Sequence, residues 1–141
     1  MVAPRKRITD EPLALAEPEL SNENEVRFQN GIDLFNAGKY WDAHESWEEI
    51  WQELGHKTSD DWEILLRGLI QIAAALHCVG LGKERGARGN LMKGWSKIVL
   101  WDGPFLGLDL TALANEAERR LHCPECMTGY NLKRKSVNET A

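Results

Sequence analysis

Apolar side chains recur every three or four positions along most of this chain, and the runs are separated by glycine and proline. That period is helical. The first run opens at Ser21 or Asn22, and Asn22 with Glu25 has the spacing of a capping box. Phe28, Ile32 and Phe35 form its stripe, and Gly31 in the same face lets a partner helix approach. Gly38 supplies a stop, because glycine takes the left-handed conformation at little cost. The second run repeats Tyr40, Ala43, Trp47, Ile50 with Trp51, and Leu54, and Gly55 ends it. A link of about two residues makes the two helices an antiparallel hairpin.

Thr58 or Ser59 is the expected cap of a third helix, with Asp60 and Asp61 favourable to its N-terminal dipole. That helix is apolar on nearly every side, from Trp62 through Leu69 and Ile72 to Leu76, which marks a central buried element. A glycine-laced link, residues 80–89, leads into a fourth helix with the seam Leu91, Trp95, Ile98 and Trp101. Gly94 permits close approach there, and Asp102-Gly103-Pro104 breaks the helix. Asp109 caps a fifth helix with the seam Leu110, Leu113, Ala117 and Leu121. No strand-like alternation is evident. The pattern predicts an all-α fold, a compact bundle of about five helices built from antiparallel hairpins. It places the helical domain at residues 21–122. Residues 1–20, with three of the five prolines, read as an extended or disordered arm, and residues 123–141 as a polar tail that frays from Pro124.

Composition narrows the class. A chain of 141 residues with 43% hydrophobic content suits one soluble domain. A net charge of −5 argues against nucleic acid as the main partner. The charge is unevenly spread. Residues 42–63 carry eight acids against Lys57, and residues 83–97 carry Lys83, Arg85, Arg88, Lys93 and Lys97 against Glu84. Two solvated faces that attract each other explain this, as would an acidic or basic docking patch. The charged start lacks a secretory core, and the longest apolar run, residues 64–80, is interrupted by Arg67, Gln71 and His77, so no membrane span is expected. Three cysteines, one of them Cys78 within that run, point to the cytoplasm, where the sequon at Asn138 carries no meaning.

Candidate chemistry gathers beside the core seam of the second helix. His44 and Glu48 stand one turn apart between Trp41 and Trp51, with Glu45 further round. Arg67 and Gln71 interrupt the apolar third helix at the same spacing, and His77 follows. Buried polar groups need partners, so His44 and Glu48 are expected to meet Arg67, Gln71 or His77. The cluster admits three readings. It is a satisfied structural network, a divalent metal site with His44, Glu48 and His77 as ligands, or a small-ligand pocket walled by Trp41, Trp47 and Trp51. If catalytic, His44 would be the base and Glu48 its orienter. No cofactor is required by the sequence, although a divalent metal is compatible with it. His122, Cys123 and Cys126 look like half of a zinc ribbon, against the plainer reading of a helix end with free thiols. Gly86-Ala87-Arg88-Gly89-Asn90 reads as a hairpin link, although a helix N-terminus there could take a phosphate.

Gly31, Leu34, Gly38, Tyr40, Ala43 and Trp47 fall where a tetratricopeptide repeat places its small and aromatic packing residues. Residues 68–98 match that pattern poorly as a second unit. The stretch Phe35-Asn36-Ala37-Gly38-Lys39-Tyr40-Trp41-Asp42-Ala43-His44-Glu45-Ser46-Trp47-Glu48 resembles the family called domain of unknown function 309. So do Arg67-Gly68-Leu69-Ile70-Gln71-Ile72-Ala73-Ala74-Ala75-Leu76-His77 and Gly89-Asn90-Leu91. The resemblance covers about residues 25–105, with Met92 and Lys93 departing from the small residues of the fourth helix. It implies a small helical bundle and brings no activity or substrate. The expected function is a non-catalytic binding module, whose tryptophan-rich face suits a protein partner or a homodimer. The rival is a metal- or ligand-dependent enzyme using His44, Glu48, Arg67, Gln71 and His77.

Overall fold

The structure is a computed structural model that describes residues 17–54 and 61–135. Its helices are α1 (Asn22–Asn36), α2 (Tyr40–Glu53), α3 (Asp61–Gly80), α4 (Glu84–Ile98) and α5 (Leu110–Arg119). Two short strands, β1 (Pro104–Phe105) and β2 (Leu108–Asp109), separate α4 from α5, and a 3-10 turn, Pro124–Met127, follows α5. The all-α bundle expected from the periodicity is the observed fold. The arm up to residue 16, Gly55 and the proposed caps Thr58 and Ser59 lie outside the described residues.

Helix α1 is capped by Ser21, whose Oγ accepts from the Asn24 N–H at 3.1 Å. Glu25 does not close a capping box with Asn22; its carboxylate is held by Arg134 at 2.6 Å. Gly38, at φ 81°, ends the helix while the Lys39 N–H reaches back to the Leu34 carbonyl at 2.8 Å. The chain then turns into α2, and the hairpin closes on Gly31. A Cβ at that position would fall on the Trp47 indole, so the glycine is what lets the ring in. Trp47 is fully buried, and its Nε1 donates to the Phe28 carbonyl at 3.2 Å.

A second close crossing joins α3 to α4. A Cβ at Gly94 would meet the Gly68 carbonyl at 2.9 Å and the Ile72 backbone nitrogen at 3.1 Å. One at Gly68 would meet the Ile98 side chain. The two glycines thus do for α3 and α4 what Gly31 does for α1 and α2, although the repeat pattern is weak there. They also fix the register of α4. Ala87, Leu91, Gly94, Trp95 and Ile98 face inward, while Met92 and Lys93 are exposed.

Helix α3 packs against α2 and α4. It is 20 residues long and its most apolar 18-residue window has mean hydropathy 1.4, enough on length and composition to cross a bilayer. A buried core helix meets the same length and hydropathy, and here 56% of that window is buried in the protein. An aromatic row runs from Phe28 through Trp62 (5.6 Å between centroids) to Phe105 (6.3 Å) and Trp101 (6.1 Å). It ties α1 and α3 to the segment after α4.

Three expectations need correction. The link before α4 is residues 81–83, not 80–89, so Gly86 and Gly89 are helical and the Ala87 N–H already bonds the Lys83 carbonyl at 2.9 Å. That leaves no open N-terminal nest at Gly86–Asn90. The strands were missed because two residues are too few to alternate. Their turn, Leu106-Gly107 at φ 52° and 79°, also lacks the usual asparagine signal. Residues 124–135 do not fray. Met127 and Leu132 are buried, Asn36 exchanges two hydrogen bonds with the Leu132 backbone (3.0 and 2.7 Å), and Leu108 bridges Arg134.

Candidate functional site

The polar residues between α2 and α3 divide into separate groups. In the first, α2 offers Trp51 and α3 offers Arg67 to one buried acceptor, Glu63. This carboxylate is 1% exposed and accepts from Trp51 Nε1 at 2.8 Å and Arg67 Nε at 2.7 Å. Glu63 precedes Arg67 by one turn, so the pair forms along the helix before tertiary packing adds the indole. The arrangement positions α2 on α3 by a directed polar bond rather than by apolar contact alone.

In the second group, Trp41 carries two imidazoles. Its ring stacks on His44 with centroids 4.5 Å apart and an interplanar angle of 13°, and meets His77 at 4.9 Å and 40°. Trp41 stays 45% exposed. His44 Nε2 lies 3.8 Å from Glu48 Oε2, beyond hydrogen-bonding range. Its Nδ1 is buried and has no hydrogen-bond partner among the described residues. Glu45, expected within the cluster, is exposed.

Gln71 belongs to neither group. Its Oε1 accepts from Lys97 Nζ at 2.7 Å, which directs it to α4. The structure therefore joins Trp51 with Arg67, and Trp41 with His44 and His77. It pairs Arg67 with Glu63 rather than with His44 or Glu48. Sequence reasoning missed Glu63 by counting it among the acids of a charged surface. Its signal was the one-turn spacing to Arg67 on a helix otherwise apolar.

Among the described residues no three His, Cys, Asp or Glu side chains converge as a metal would require. Cys123 and Cys126 are bonded to each other, with Cα atoms 5.4 Å apart, and in that state offer no thiolate to a metal. A cavity of about 480 Å³ lies elsewhere, between Pro18, Leu20, Leu106 and Arg134. Arg134 is fully engaged beside it. It donates to Glu25, Gln29 and the Leu106 carbonyl, and its guanidinium lies 4.9 Å from the Phe28 centroid.

The charged faces noted in the sequence are real surfaces, and both flank α3. Asp42, Glu45 and Glu49 are exposed on α2; Arg85, Arg88 and Lys93 are exposed on α4. Arg88 pairs with Glu84 at 2.6 Å within its own helix.

The model of a family described as a domain of unknown function, DUF309, matches residues 28–90. That span runs from α1 into α4 and contains both polar groups. A conserved hypothetical protein from Thermus thermophilus, solved by crystallography, is 37% identical. The similarity covers 67% of this chain and 95% of that one, with a TM-score of 0.54. No curated protein matches the chain.

Proposed function

The chain belongs to the domain of unknown function 309 family, and we propose that it works as a non-catalytic docking module that engages a protein partner through the Trp41 face of α2. The observation that carries this reading is Trp41 itself. It is a large aromatic side chain, 45% exposed, yet fixed in place by the imidazoles of His44 and His77. A ring already held loses little rotamer freedom on binding, which is what an interface anchor needs. Asp42 and Glu45 give it an acidic rim suited to a basic partner surface. The other polar groups have structural duties: Arg67 and Trp51 on Glu63, Gln71 on Lys97.

A photo-crosslinking amino acid at position 41 tests the proposal in living cells. The expected result is a discrete covalent adduct, absent when the same group replaces Val26, which is 57% exposed on α1. Identical adduct patterns at both positions would sink it.

One atom supports a second reading, that of a metal- or ligand-dependent site. His44 Nδ1 is buried with no hydrogen-bond partner among the described residues, and a bound species could pair with it. Glu48, whose carboxylate lies 3.8 Å from the other ring nitrogen, Nε2, would be its companion. Metal analysis of the purified protein beside His44→Ala separates the readings. A stoichiometric metal lost in the variant supports the site, and equal content in both rules it out.

A further inference from the structure

We infer that the partner is a second copy of this chain, and that the Trp41 face of α2 docks on the α4 face around Gly89. This rests on the reading of Trp41 as a docking residue and names what it meets. The first observation is a glycine without a cause. Gly31, Gly68 and Gly94 each lie against a side chain or backbone that a methyl group would strike, whereas among the described residues nothing comes within 4 Å of a Cβ at Gly89. An exposed glycine in the interior of a helix costs about 1 kcal/mol relative to alanine. No packing among the described residues offsets that cost. Close approach of something outside the chain would offset it.

The second observation is the complementarity of the two faces. Helical spacing sets Arg85, Gly89 and Met92 on one stripe of α4, with Lys93 beside it. Met92 is 44% exposed, and Arg85 and Lys93 have no ion-pair partner among the described residues. The same spacing sets Trp41, Glu45 and Glu49 on one stripe of α2, with Glu45 and Glu49 likewise unpaired among the described residues. Each stripe thus has an exposed apolar side chain and charges of one sign, and the signs are opposite. Both helices pack on α3; Trp41 touches it through His77, while Glu45, Glu49, Arg85, Gly89, Met92 and Lys93 stand exposed. A second copy brings them together, with the indole over the glycine, the thioether alongside, and carboxylates against guanidinium and ammonium. Arg85 over the ring would add a cation–π contact.

Sedimentation velocity of the full chain tests this, at low salt and at high salt. The wild type should associate at low salt and weaken about tenfold or more as screening rises. Glu45→Arg/Glu49→Arg and Arg85→Glu/Lys93→Glu should each remain monomeric. An equimolar mixture of the two should associate again, because the reversed faces are complementary. Gly89→Gln should stay folded by circular dichroism and lose association. A wild type that is monomeric at low salt and high concentration overturns the inference, as do reversed variants that associate like the wild type or a mixture that stays monomeric. The crosslink at position 41 separates this inference from the reading beneath it. An adduct of the chain with itself, mapped to α4, supports both. A discrete adduct with a different protein overturns the inference and leaves the docking module standing, and no adduct removes both.

Discussion

Arg67→Met asks whether the Glu63 group is structural. Glu63 is 1% exposed, and its Oε2 accepts from both Trp51 Nε1 and Arg67 Nε. Removing the guanidinium takes the ion-pair partner Arg67 from a buried carboxylate, and breaking a buried pair typically costs about 3–5 kcal/mol. The Arg67 side chain is itself 33% exposed, so solvent already screens part of the pair and the loss falls below that range, to about 2–3 kcal/mol. Glu63→Met should cost less, about 1–2 kcal/mol, because the freed guanidinium can turn to water and the main loss is the acceptor of Trp51 Nε1. The double variant places two flexible apolar chains of similar volume side by side. It should be about 1.5–2 kcal/mol more stable than the sum of the single losses. Urea unfolding followed by far-ultraviolet circular dichroism gives all four values, compared at a common slope. In a domain of 141 residues the Arg67→Met loss corresponds to a fall in Tm of about 6–10 °C. Additivity within about 0.5 kcal/mol would refute the argument, since it would mean that Arg67 does not hold the carboxylate. The double variant should also keep the crosslink at position 41, because Trp41 belongs to the other group.

Two further expectations follow from the glycines and from the fifth helix. Gly31→Ala should destabilise by about 1–3 kcal/mol, since the methyl lands on the Trp47 indole, whereas Gly89→Ala should stabilise the isolated chain by about 0.8–1 kcal/mol. Thermal melts of the two variants at low protein concentration check the contrast in sign. For Glu116, burial pushes the pKa up, but hydrogen bonds from Arg120 and Arg119 and their charges outweigh it, leaving the carboxyl below its ordinary 4.5. A depressed carboxylate stabilises the fold above its unfolded pKa and loses that contribution as pH falls through the folded value. Stability should therefore drop from about pH 4.5 downward, and Glu116→Gln should flatten that drop in urea midpoints measured across the acid range.

Much of the fold was legible because its rules are local. The stripe Phe28–Ile32–Phe35, the stop at Gly38, the cap at Asp109 and the all-round apolarity of α3 each follow from a few neighbouring residues. What escaped depends on contacts across the chain. Asn36 and Leu132 are 96 positions apart, and Arg134 reaches Glu25 over 109, so nothing near residue 134 announces that the tail is held. The start of α4 escaped for the opposite reason. Gly86 and Gly89 argue locally for a loop, and tertiary packing on α3 overrides them, with Ala87, Leu91 and Gly94 carrying the buried face.

The candidate site was legible by residue and not by pairing. Periodicity places His44, Glu48 and Trp51 beside the core seam, but it cannot say which acceptor the Trp51 indole finds, because that is set by the angle between α2 and α3. The three tryptophans of α2 make the difference plain. Trp47 is fully buried, seated by Gly31, and its place follows from packing. Trp51 stands at the core edge with its N–H on Glu63, and its place follows from that bond. Trp41 alone is left 45% exposed, its ring against the imidazoles of His44 and His77. An indole exposed to this extent presents apolar surface that a partner would cover. The physical argument for function therefore falls on Trp41 rather than on the more polar residues around it.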